Sequence, residues 1–305
     1  MRSRAQAAAR TSLHCSAVSS RLPLYRELTK PGITLFVSCS AATGYAVSAG
    51  ASFSPLRAFL VWAATMLMSG GAAALNQVVE LERDRMMLRT ARRPLVSGQV
   101  SVHDATLFAW VLTGAGLLLS LTTLPLLTAL FLALSHISYV NIYTPLKPRT
   151  PLCTLAGAFP GSLPVLAGAA AGAGGLNLAA WLLTGLLFAW QLPHFMAIGW
   201  LVREDYGRGG YAMLFLTDPS GRESAAVAVM YAAATGACAL LLALAAPAGW
   251  LFVTIAALTG VVYSALAGAF FLRRDRTSAR RLFFSSLLVL PALLATLVFE
   301  VRVLG

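Results

Sequence analysis

The sequence predicts an all-α polytopic membrane protein, with about nine transmembrane helices bundled around a central apolar cavity that opens to the cytoplasmic side. Three observations predict it. Apolar residues make up 58% of the 305 residues and charged residues only 11%, with a mean hydropathy of +0.75, which excludes an ordinary soluble globular domain. Apolar stretches of membrane-crossing length recur along the whole chain. Positive charge is gathered into alternate connections: Lys and Arg precede the first span (Arg26, Lys30), and follow the second, the fourth (Lys147, Arg149), the sixth (Arg203, Arg208) and the eighth (Arg273, Arg274), leaving only Arg57 and Arg302 for the other side. The positive-inside rule then puts the N-terminus in the cytoplasm and the C-terminus outside, as nine spans require. The formal charge of +12 is therefore a topology signal; it implies a lipid bilayer as partner and no nucleic acid.

In chain order, residues 1–30 are basic, rich in Ala and Ser and nearly free of acids. They are expected to form a cytoplasmic tail, with a mitochondrial transit peptide as the alternative for such a composition. A single transmembrane domain then fills 31–305, its spans expected at 31–50, 56–76, 105–122, 123–142, 153–172, 178–200, 224–245, 249–271 and 282–301. Pro31 and Gly32 open the first, and a tight turn at 122–125 separates the third from the fourth. Pro94 and Gly98 break the connection after the second span, Ser101 is the expected N-cap of the third, and His103 and Asp104 are helix-entry residues. The fifth span is dense in Gly, Ala and Pro. Small residues let helices approach closely, while Pro160 and Pro164 free backbone carbonyls that only a cavity wall or a neighbouring helix can satisfy, so this span is expected to wall a pocket. His136 is expected to be a packing residue, and Asp218, Pro219 and Gly221 a turn. Spans seven to nine read as scaffold as far as Glu300. Cys15, Cys39, Cys153 and Cys238 are scattered without ligand spacing, which implies neither disulfides nor zinc.

The chemistry concentrates in residues 76–94, NQVVELERDRMMLRTARRP, which follow the second span. If its helix continues without a break, Asn76, Glu80 and Asp84 share one stripe at steps of four, about 12 Å long. Carboxylates at i,i+4 repel by roughly 0.2–0.5 kcal/mol, so a cation between them makes better sense of the arrangement. Hard oxygen ligands of this kind suit Mg²⁺ completed by substrate phosphates. Arg83, Arg85, Arg89, Arg92 and Arg93 interleave or follow, which points to a magnesium and diphosphate site at a membrane surface, against the plainer reading of a solvated topology anchor. Tyr143 and Lys147 close the fourth span and fit either an interfacial belt or a reach toward the same phosphate. Gln191 and His194 are polar groups at membrane depth, where lipid cannot satisfy them, so they are expected to face the bundle interior. Asp205, beside Glu204, is a second acidic position that could complete a cation site or pair with Arg203 or Arg208.

These residues resemble the UbiA-type intramembrane prenyltransferase superfamily, whose signature is an Asn-x-x-x-Asp-x-x-x-Asp stripe ending the second of nine helices. Within it, NQVVELERD, RTARRPLVSGQVS, YTPLKPRTP, WQLPHF and REDYGRGGYAML in this order are similar to the protohaem IX farnesyltransferase (haem O synthase) branch, from about Tyr25 onward. The resemblance implies farnesyl diphosphate and haem B as substrates, Mg²⁺ as cofactor and haem O as product. It implies Asn76, Glu80 and Asp84 as metal ligands, Arg89, Arg93 and Lys147 on the diphosphate, Tyr143 and Asp205 at the reacting site, and His194 with Gln191 near haem. A bacterial plasma membrane is expected, a mitochondrial inner membrane being the alternative, with haem A synthase or the terminal-oxidase assembly as candidate partners. Two departures stand out: Glu80 replaces the middle Asp, and the paired aspartates of the wider superfamily's second motif are absent, His194 and Asp205 lying there instead. The missing second aspartate stripe weighs against a prenyltransferase for quinone precursors or chlorophyll-type rings. Acids crowded at one surface weigh against a transporter, which would hold them near the midplane, and an assembly factor would predict no metal dependence.

Overall fold

The computed structural model describes residues 21–173, 175–246 and 248–304, which leaves most of the expected N-terminal tail, the transit-peptide question and Cys15 outside the described residues. Among the described residues, eight helices are long and apolar enough to cross a membrane. They are α2 (Pro55–Val79), α4 (Val102–Thr123), the run Leu126–Leu146 that begins with α5 (Leu126–Ile137), α6 (Cys153–Ala170), α7 (Leu178–Leu201), α10 (Arg222–Ala245), α11 (Trp250–Arg273) and the run Arg276–Val303 that begins with α12 (Arg276–Phe299). The first expected span is present as α1 (Pro31–Ser48), but it falls below that apolarity because it carries Thr34, Ser38, Ser40, Thr43 and Ser48. Those hydroxyls are buried, and Ser38 and Thr43 donate to the carbonyls of Thr34 and Cys39 one turn back, so the helix satisfies these two itself, whereas Ser48 Oγ has no partner among the described residues.

Helix ends fall where the caps dictate. Ser101 accepts from the Asp104 N–H at the start of α4, Asn177 from Ala180 at α7, and Asp275 from Ser278 at α12. That last cap starts the ninth long helix six residues before the expected 282. Glu300 accepts from the N–H groups of Leu251 and Phe252, capping α11 from the end of α12, and Asp218 accepts from Ser220 and Ser224 at the turn into α10. Residues 21–28 are helical rather than a free tail: Leu28 is fully buried, the Tyr25 and Phe108 rings lie 5.0 Å apart, and Gln77 donates to the Leu28 carbonyl.

Packing runs from α4 to α2, α1 and α6, then through α7 to α10, α11 and α12. The close approach of α1 to α6 depends on glycine: a Cβ on Gly44 would strike the Val165 carbonyl, and one on Gly168 the Ala41 carbonyl. Pro164 denies the Pro160 carbonyl its helical partner, and Ser135 of α5 donates to that carbonyl at 2.7 Å. The expected pocket wall is real, for Thr154, Gly157, Pro160 and Gly161 of α6 line a chamber of about 350 Å³.

Candidate active site

The stripe is not carried by an unbroken helix. α2 stops at Val79, Glu80 sits in the bridge region (φ −91°, ψ 2°), and a short helix α3 (Leu81–Met86) carries Asp84. The register nevertheless survives, because Glu80 N–H donates to Asn76 O at 3.0 Å and Asp84 N–H to Glu80 O at 2.8 Å. Asn76, Glu80 and Asp84 are all buried.

Each member of the stripe holds a cation. Lys30 Nζ donates to Asn76 Oδ1 at 2.6 Å, Lys147 Nζ to Glu80 Oε1 at 2.7 Å, and Arg93 to Asp84 Oδ2. Asn76 Nδ2 in turn donates to Thr144 Oγ1 at 3.0 Å, tying α2 to the end of the fourth span. Burial pushes the Glu80 carboxyl up, but Lys147 and Lys30 outweigh it and hold it below the usual carboxylate range. Burial pulls the Lys147 ammonium down, yet Glu80 more than offsets this and keeps it well above its ordinary value. At Lys30 burial wins over the same carboxylate and lowers the ammonium to about 7. Lys30 also adopts φ 50°, a left-handed backbone that costs a non-glycine residue about 1–2 kcal/mol.

Of the five arginines, Arg89 and Arg93 line the chamber. Arg83 donates to the carbonyls of Gly209 and Gly210, both at 2.8 Å, and Arg85 pairs with Glu82 on the outer surface. Aromatic rings fill the space between cations: Lys147 lies 4.6 Å from the Tyr143 ring centre and Arg89 5.5 Å from that of Tyr206, with Tyr139 and Tyr211 alongside in the wall. The fourth span reaches this point through a π-helical turn, Ser138–Tyr143, that presents Tyr139 and Tyr143 to the chamber. Gln191 and His194 line it from α7 as expected. Gln191 Nε2 is committed to the carbonyls of Ala158 and Leu187. His136 also lines the chamber, with Nδ1 3.3 Å from the Met68 carbonyl and Nε2 without a partner among the described residues.

Asp205 stands elsewhere. It belongs to a short helix, α8 (Arg203–Arg208), which precedes the single turn α9 (Leu214–Thr217), and its two oxygens accept from the backbone N–H groups of Leu88 and Arg89 at 2.8 and 3.0 Å, with Arg208 3.6 Å away. It is not among the residues lining the chamber. Its geometry is that of a latch between the segments that follow α2 and α7, because both carboxylate oxygens are taken by the N–H groups of Leu88 and Arg89.

Residues 36–288 match the UbiA prenyltransferase family. The chain belongs to that family. Among its relatives, the protoheme IX farnesyltransferase of Solibacter usitatus is 39% identical over 88% of this chain and 94% of its own length, and that of Opitutus terrae 36% over 93% and 96%. The mitochondrial protoheme IX farnesyltransferase of Arabidopsis thaliana is 37% identical over 90% of this chain and 64% of the plant protein. In fold, a UbiA homologue from Archaeoglobus fulgidus bound to GPP and Mg²⁺ superposes with a TM-score of 0.69 at 16% identity, over 91% of this chain and 99% of that one.

Lys30, Tyr139, Thr144, Tyr206 and Tyr211 are site residues that sequence reasoning passed over. Lys30 was absorbed into the topology count, although its place just before the Pro31–Gly32 helix start put it at the same membrane surface as Asn76. The tyrosines carried no signal beyond an interfacial belt.

Proposed function

We propose that the chain transfers the farnesyl group of farnesyl diphosphate to a vinyl group of haem B, with water completing the hydroxyethylfarnesyl side chain of haem O and diphosphate leaving. The observation that carries this reading is a single chamber whose wall holds Lys30, Glu80, Asp84, Arg89, Arg93 and Lys147 together with the otherwise apolar surface around Gln191, His194 and Phe195. Such a chamber keeps a polyisoprenyl tail and a porphyrin out of water while leaving phosphates at a charged rim. Full-length relatives named protoheme IX farnesyltransferase support the choice of acceptor.

The oxygen donors fit a hard divalent cation. Asp84 Oδ1 is buried without a hydrogen-bond partner among the described residues, and it shares one buried face with Glu80 and Asn76. These three would hold Mg²⁺. When bound, the metal would neutralise charge on the departing diphosphate.

The protein's own groups do the rest. Arg93, Lys147 and Lys30 now sit on Asp84, Glu80 and Asn76, and the arriving diphosphate offers them a second set of oxygens. With Arg89, their preorganised charge stabilises the leaving group as its bond to the allylic carbon lengthens. The face of Tyr143, already carrying the Lys147 ammonium at 4.6 Å, is suited to hold developing positive charge on the allyl fragment. Apolar walls built by Val37, Met68, Leu132 and Ile198 limit its premature capture by water. Purified protein incubated with haem B, farnesyl diphosphate and Mg²⁺ should yield haem O by mass spectrometry. Folded protein that gives none would overturn this substrate assignment.

A further inference from the structure

The chamber has a floor, and two side chains make it. An apolar cluster that includes Ala41, Tyr45, Val61 and Ala64 fills the bundle toward Leu124. Among its described residues only Met68 of α2 and Leu132 of α5 also line the chamber. They are 3% and 2% exposed, so each shows the chamber an edge and buries the rest in packed protein. Met68 is hemmed in: it lies against Gly116 of α4, where even a Cβ would come within 2.7 Å of its Cγ, and its carbonyl is 3.3 Å from His136 Nδ1. One turn beyond it Ala64 is fully buried, and no described residue of α2 before Met68, or of α5 before Leu132, lines the chamber.

Above this floor α2 offers only small side chains. Between Glu80 and Met68 it lines the chamber through Ala73, Ala72 and Ser69 alone, which leaves a slot running from the charged rim down to the first large residue. Its length follows from the helix: the twelve residues from Glu80 to Met68 rise roughly 18 Å at 1.5 Å each. An extended isoprenoid chain adds four carbon–carbon bonds of about 1.5 Å per unit, hence roughly 5 Å once the zigzag is allowed for. Three units therefore need about 15 Å and four about 20 Å. The third unit stops just short of Met68, and a fourth would have to displace it.

We propose that Met68 and Leu132 set the length of the prenyl chain that the protein accepts, by closing the chamber one farnesyl length below the diphosphate. The inference rests on a prenyl diphosphate being the donor, and it assigns these side chains to selection among donors rather than to bond formation. An apolar pocket discriminates by about 10–200-fold for each methylene it fits or refuses. A floor already packed on its far side yields poorly to added volume, so refusal of a longer tail is sharper than refusal of a shorter one.

The test offers geranyl, farnesyl and geranylgeranyl diphosphate in turn to the purified full-length protein with haem B and Mg²⁺, and reads kcat/KM from the mass of each prenylated haem. The native protein should favour farnesyl over geranylgeranyl by at least about tenfold. Met68→Ala and Leu132→Ala should each cut that ratio at least about tenfold by raising geranylgeranyl transfer, and Met68→Trp, which lifts the floor, should move preference toward geranyl. Leu132→Val, which trims one methylene, should move the ratio in the same direction and serves if an alanine variant does not fold. A second readout omits haem: displacement of labelled farnesyl thiolodiphosphate, an unreactive donor, by its geranyl and geranylgeranyl counterparts should follow the same order. Unchanged ratios in the folded variants, or a native protein that takes all three lengths equally, overturn the floor. Native protein that binds no thiolodiphosphate overturns both this inference and the donor reading. Length-selective binding without any prenylated haem removes the acceptor reading and leaves the floor standing.

Discussion

At the scale of single residues, the site stores charge in pairs that are expensive to separate. Glu80 and Lys147 bury most of their side chains and hydrogen-bond at 2.7 Å. Removing one partner leaves the other charged and desolvated, so Lys147→Met should cost roughly 3–5 kcal/mol of stability in addition to activity. Replacing both, as Glu80→Gln with Lys147→Met, should recover much of the melting temperature while turnover stays lost. Thermal unfolding in detergent separates the two effects, and a single variant that melts with the native protein would deny that the pair is desolvated. Asp84 behaves differently. Arg93 engages Oδ2 while Oδ1 stays unpaired, so Asp84→Asn keeps the shape, surrenders the charge, and should cut haem O formation by at least about 10²-fold, the loss typical of a single charge-stabilising group. Circular dichroism should be unchanged, and near-native turnover would remove Asp84 from any metal role.

At the scale of elements, the two segments that follow α2 and α7 hold one another beside the chamber. Arg83 reaches across to Gly209 and Gly210, and Asp205 reaches back to the N–H groups of Leu88 and Arg89. The residues they position, Arg89 and Arg93, are on the chamber wall. Hydrogen bonds to a charged acceptor contribute about 1.5–3 kcal/mol each. An Asn at 205 can accept through only one oxygen and turns its amide N–H₂ toward a second donor, so Asp205→Asn should loosen the segment rather than delete a chemical step. Trypsin should cut more rapidly at Arg89, Arg92 or Arg93, and KM for farnesyl diphosphate should rise about tenfold, equivalent to about 1.4 kcal/mol, with kcat changed only a few-fold. A collapse of kcat with native protease resistance would instead make Asp205 a catalytic residue. The sequence could not separate these roles, because an acid at a helix end looks the same whether it faces a cation or caps a neighbouring loop. The same ambiguity hid the break at Glu80: a four-residue spacing survives both a straight helix and a bend that keeps its i→i−4 bonds.

At the scale of the whole molecule, the helices were legible because apolarity and length are one-dimensional properties that the bilayer reads directly. Among the described residues eight spans meet that criterion, and one more long helix, α1, is legible by position in spite of its hydroxyls. The partnering of cations across the chamber was not legible: Lys30 and Asn76 are 46 residues apart, and Glu80 and Lys147 are 67 apart. Only the fold brings them together. Charge sidedness is the remaining global property, and it sets which compartment supplies the diphosphate. Lys30, Arg89, Arg93 and Lys147 gather at one end of the bundle with the loops that carry Arg203 and Arg208, while among the described residues Arg57 and Arg302 are alone at the other. Since Lys and Arg bias loops to the cytoplasmic side, the chamber rim should face the cytoplasm. In a background with the native cysteines replaced, His103→Cys reports the rim end and Ser52→Cys the opposite end, both positions being exposed. In bacterial spheroplasts a membrane-impermeant maleimide should label Ser52→Cys at once and His103→Cys only after permeabilisation. The reverse pattern would put the diphosphate site outside, where no cytoplasmic isoprenoid supply could reach it, and would break the link between the topology signal and the proposed substrate.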